Sequence, residues 1–226
     1  ERAFAVMRVK DWPAERDVFG TVAEGVKGKR AVEWRLVDAV YPTSRFHQEV
    51  ARRARELAAG SDRPPSARGI VFGPLEARVT DAGVSYSAVT LAIDRARRTA
   101  DLTIQAPSTP QPDSPDAVVA AGDIVWVLRV FRELDDAILR LRINEPEIGT
   151  VLIRATGDPA AVLAVDGTLA AHHDHWLVRE IILFIKRTLK RLDLTSRSLY
   201  ALIEPGNAFA GTLFEIALAC DRSYML

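Results

Sequence analysis

Apolar and polar residues alternate over VSYSAVTLAID, with Val89, Leu91 and Ile93 on one side, and again over TADLTIQAP, with Leu102 and Ile104. A period of two marks a half-buried strand. RARR separates the two runs, so they read as a hairpin closed by a solvated, charged turn. The period then lengthens. In WVLRVFRELDDAILRLRINEPE, Leu128, Phe131, Leu134, Ile138 and Leu141 recur at helical spacing. REIILFIKRTLKRLDL repeats the pattern: Val178, Ile181, Ile182, Ile185, Leu189 and Leu192 share a face, and Lys186, Lys190 and Arg191 lie off it. Such stripes are core faces of amphipathic helices.

Between these helices, GTVLIRATG is an apolar, β-branched run and predicts a buried strand. DPAAVLAVDGTLAAHHDHW reads as a loop leading into helical sequence. SLYALIEPG predicts a short strand, a helix follows from about Thr212, and DRSYML predicts a last strand. From residue 84 the order is β, β, α, β, α, β, α, β. Strands separated by helices predict a mainly parallel sheet with right-handed crossovers, hence an α/β fold.

The first 60 residues differ, because their apolar positions fall at helical spacing. Asp17 to Lys27 predicts a short helix, and RAVEWRLVDAVYP a second that Pro42 stops. Thr43 or Ser44 caps a third, with Phe46, Val50, Ala54 and Leu57 on one side and Gly60 at its end. GSDRPPSARG cannot continue a helix. The expected organisation is a helical unit over 1–60, a linker over 61–83 and a second unit over 84–226.

Composition narrows the function classes. Of 226 residues, 48% are hydrophobic, enough for a sizeable core. Lys+Arg and Asp+Glu both number 30, and this balance argues against nucleic acid as a partner. The single cysteine, Cys220, allows no internal disulfide, which fits a reducing, cytoplasmic setting. No apolar run reaches the roughly 20 residues of a membrane span, so no membrane partner is expected. Glu1 is not an initiator residue and Leu226 ends a strand with no closing loop. The expectation is therefore an internal piece of a longer protein.

Candidate chemistry is sparse. HHDH, residues 172–175, offers two ligands on one helical face where zinc needs three or four, so it reads as a polar helix entry and not a metal site. No G-x-S-x-G elbow and no Gly-rich phosphate loop is present. Cys220 reads as a packed small hydrophobe. The strand–turn–helix at 199–219 remains. Its turn is made of small residues, Gly206, Ala208, Ala210 and Gly211. Helix N–H groups without internal partners favour negative charge, and one could hold a carbonyl oxygen becoming an enolate. A second donor would come from around Ala164, and Glu215, one turn into the helix, could act as acid or base. The alternative is that the small residues permit close packing and Glu215 reaches solvent.

GTVLIRATGDPAAVLAVD, preceded by RELDDAILRLRINEPE and followed by GNAFAGTLFEIALACD, resembles the crotonase (enoyl-CoA hydratase) superfamily in order as well as content. EGVKGKRAVEWRLVDAV, IDRARRTADLTIQAP, LTSRSLYALIEP and FAGTLFEIALACDRSYML resemble one branch of it, ring-opening lyases acting on 2,3-epoxybenzoyl-CoA. The resemblance implies a partial ββα spiral fold, with the helical tail of a first crotonase-like unit followed by the first part of a second. It implies an acyl-CoA thioester substrate, with release of formate and 3,4-dehydroadipyl-CoA semialdehyde. It implies no cofactor, since coenzyme A is part of the substrate, and a homo-oligomer. By position, Ala164 matches the first oxyanion donor, Gly211 or Thr212 the second, and Glu215 the first catalytic glutamate. Thr212 and Leu213 interrupt the glycine run common in relatives. Two alternatives stand beside this: a non-catalytic scaffold unit, and another enzyme of the enoyl-CoA hydratase or isomerase type.

Overall fold

The structure, a computed structural model, describes residues 25–61 and 68–226. They divide into two compact units, the first ending at Arg68 and the second spanning Gly69–Leu226.

In the first unit, α1 spans Gly28–Glu33 and α2 spans Thr43–Ala59. The helix expected over Asp17–Lys27 lies outside the described residues, apart from three non-helical positions at its end. α1 is shorter than RAVEWRLVDAVYP predicts, because the backbone closes it early. Arg35 takes φ +54°, the Arg35 amide donates to the Val32 carbonyl and the Leu36 amide to the Ala31 carbonyl. This left-handed closure satisfies carbonyls that a longer helix would have bonded. α2 begins after Pro42 and ends at Gly60. None of its residues is buried, and Phe46 is 49% and Leu57 61% exposed, so among the described residues nothing covers its stripe. Arg52 pairs with Glu49 and Glu56 one turn away on either side. Such pairs add only tenths of a kcal/mol.

The second unit is built on one seven-stranded sheet in the order β1-β2-β3-β4-β5-β6-β7. The strands are β1 (Arg78–Thr80), β2 (Gly83–Ser85), β3 (Val89–Asp94), β4 (Thr99–Gln105), β5 (Thr150–Thr156), β6 (Ser198–Ile203) and β7 (Arg222–Met225). β1 to β4 form an antiparallel meander, and β4 to β7 are mutually parallel. The change of direction follows from the connections. Short turns join the first four strands, whereas helices join the rest, and a parallel pair needs a crossover.

Segment 69–83, expected within the linker, belongs with this unit. The Gly73 amide donates to the Asp123 carboxylate at 2.6 Å, Arg132 donates to the Gly73 carbonyl at 2.8 Å, and β1 pairs with β2. VSYSAVTLAID is not one strand but two, β2 and β3, folded on each other around Tyr86–Ala88. The arginine turn is tied down as well as solvated, because Arg98 donates to the Glu147 carbonyl at 2.9 Å and Arg95 pairs with Glu145 at 2.5 Å.

The helices are α3 (Pro115–Ala121), α4 (Trp126–Asn144), α5 (Pro159–Ala171), α6 (Trp176–Asp193) and α7 (Gly211–Leu218). The core lies between one face of the sheet and α4 and α6. Val89, Leu91, Leu102, Ile104, Val151, Ile153 and Leu199 enter it from the strands. All five residues of the stripe predicted on α4 are buried. On α6, Val178, Ile181, Ile185 and Leu192 are buried, while Ile182 and Leu189 are only partly covered. α5 occupies sequence expected to be a loop. Asp158 caps it by accepting the Ala160 amide at 2.8 Å, and Pro159 stands in its first turn, where a missing N–H costs nothing. Among the described residues no helix is long and apolar enough to cross a membrane.

Candidate functional site

The strand–turn–helix after β6 forms as the sequence predicts. β6 ends at Ile203, Gly206 turns the chain at φ +79°, and α7 begins at Gly211 with φ +47°. The turn is bonded to the end of β5: the Ala208 amide donates to the Ala155 carbonyl at 2.9 Å and the Gly157 amide to the Gly206 carbonyl at 3.3 Å. Asn207 adds a local turn, accepting the Phe209 amide at 3.1 Å. Ala208 is fully buried, so a small residue is required there for packing.

The N-terminus of α7 is occupied from within the protein. Ala210 holds the N-cap position, where its side chain has no acceptor to offer. Asp166, on α5, supplies the cap instead. Its carboxylate accepts the Thr212 amide at 2.6 Å and also the Thr212 hydroxyl. Glycine at 211 makes this approach possible, since a Cβ there would lie 1.8 Å from Asp166 Oδ2. The next two amides, of Leu213 and Phe214, donate to the Ala210 carbonyl at 3.0 and 3.2 Å.

The other predicted donor is engaged too. Ala164 lies inside α5, five residues past its first position, where a backbone N–H bonds to the carbonyl one turn before it. The residue faces outward and is exposed. Ala164 and Thr212 therefore do not form the expected pair of free amide donors, and Gly211 serves as clearance for a carboxylate. The physical reason is that the segment around Ala164 folds as helix and not as loop, which turns its N–H groups along the α5 axis and brings Asp166 onto α7.

Glu215 is exposed on α7 and lines a shallow groove of about 390 Å³. Leu169, Ile182, Ile185 and Leu189 give this groove an apolar floor, and Asp166, Lys186 and Thr212 stand at its edges. Asp221, the last residue of the E-x-A-x-A-C-D run, accepts the Leu199 amide at 2.8 Å and so fixes β7 beside β6. The Cys220 thiol donates to the Ile216 carbonyl at 3.2 Å, and burial, with a smaller push from Asp221, raises it to about 11. Residues 172–175 form the bend between α5 and α6. There His173 Nδ1 lies 3.0 Å from the Ala170 carbonyl, and among the described residues no three potential metal ligands converge.

Sequence reasoning missed Asp166 and Glu133. Glu133 is 3% exposed, yet its carboxylate accepts the Ser87 hydroxyl at 2.5 Å and the amides of Ala88 and Val89 at 2.8 and 3.1 Å. A charge inside the otherwise apolar stripe of α4 was the available signal, because a buried carboxylate must find donors.

Fold and site together define a mixed α/β unit whose sheet turns from a meander into a parallel array, with a strand–turn–helix at its parallel end. In sequence the chain is a relative of benzoyl-CoA-dihydrodiol lyase from Aromatoleum evansii, with 49% identity over 210 residues that make up 93% of the chain. The chain spans 38% of the length of that lyase. No family model matches it. Among solved structures it is similar to an enoyl-CoA hydratase from Geobacillus kaustophilus, at 18% identity and a TM-score of 0.41, covering 62% of this chain and 46% of that one. Pseudomonas aeruginosa AtuE is similar at 17% identity and a TM-score of 0.41, covering 62% and 48%.

Proposed function

We propose that this chain is a supporting, non-catalytic crotonase-like unit of a longer enzyme that opens the ring of 2,3-epoxybenzoyl-CoA. The first part of the reading rests on one observation, the Asp166 carboxylate seated on the Thr212 amide and hydroxyl. An oxyanion hole works by aiming unengaged donors at developing negative charge in a site shielded from water. Here the donor is already engaged by a carboxyl group of the protein itself. An enolate oxygen brought to the same place would have to displace that group before it met a free donor. Glu215 then has no polarised carbonyl to serve, and its exposure suits a surface carboxylate.

The second part rests on the sequence relationship to the lyase. In this reading the whole protein acts on an acyl-CoA thioester in the cytoplasm as a homo-oligomer, without a separate cofactor, and the reacting groups lie outside residues 1–226. The test is Glu215→Gln in the full-length protein, followed by formate release from the epoxide substrate. Turnover within about twofold of the parent is expected. A loss of tenfold or more, with the fold intact by circular dichroism, would overturn the supporting role. If the unsubstituted full-length protein releases no formate, the assignment of the reaction itself fails.

A further inference from the structure

We draw no further inference here: the strongest candidate, the apolar groove between α5, α6 and α7 with Lys186 and Glu215 on its rim, has nothing in the structure to show what covers it.

Discussion

The Asp166 carboxylate accepts the Thr212 amide at 2.6 Å across 46 residues of chain. One side chain thus joins α5 to α7 and closes the N-terminus of a helix that cannot cap itself. The contact also explains Gly211, whose φ of +47° and missing Cβ leave room for the incoming oxygen.

Removing the cap should cost what other helix caps cost. Asp166→Ala is expected to destabilise the chain by about 1 kcal/mol, and Asp166→Asn by less, since its carbonyl still accepts the amide. Urea unfolding of the two variants against the parent checks this. An Asp166→Ala midpoint equal to the parent's would mean the contact contributes nothing.

Gly211→Ala should be worse than Asp166→Ala, because it adds a left-handed alanine to a clash with the carboxylate. A loss of about 2 kcal/mol or more is expected. In the Asp166→Ala background the clash disappears and only the backbone strain remains. The double-mutant cycle should therefore show a coupling of about 1 kcal/mol. Simple additivity would sink the proposed steric link.

Glu133 anchors the β2–β3 turn to α4 through Ser87, Ala88 and Val89. Glu133→Ala leaves buried amides without acceptors, each worth about 1–3 kcal/mol. An overall loss of about 3 kcal/mol or more is expected in thermal or urea unfolding, and faster hydrogen exchange should appear at the Ala88 and Val89 amides. Unchanged exchange there would remove Glu133 from this role.

Thr188 shows the opposite case. It is fully buried on α6, and its hydroxyl has no hydrogen-bond partner among the described residues. Replacing the hydroxyl with a methyl group relieves an unmet polar group at nearly constant volume. Thr188→Val is expected to be neutral or to stabilise by up to about 1 kcal/mol. A clear loss of stability would reveal a partner for the hydroxyl.

The Cys220 thiol, raised to about 11, stays protonated at pH 8, and only the thiolate is the nucleophile. Its reaction with a disulfide reagent at pH 8 should be roughly a hundredfold slower than that of free cysteine. The rate should rise about tenfold per pH unit between pH 8 and 10. A profile that flattens below pH 9 would contradict the raised value.

The sequence determined the elements whose signal is local. Alternation marked β3 and β4, apolar stripes marked α4 and α6, and small residues between two apolar runs marked the turn from β6 into α7. α5 was also readable, since Asp158–Pro159 followed by alanines is a helix start, yet its glycine and its apolar all-round character disguised it. Neither the Asp166–Thr212 contact nor the Glu133 anchor was legible, because each joins groups about 45 residues apart. Periodicity reports which face of an element is buried. Whether an amide at the end of that element stays free depends on which side chain packing brings to it, and tertiary structure alone decided that.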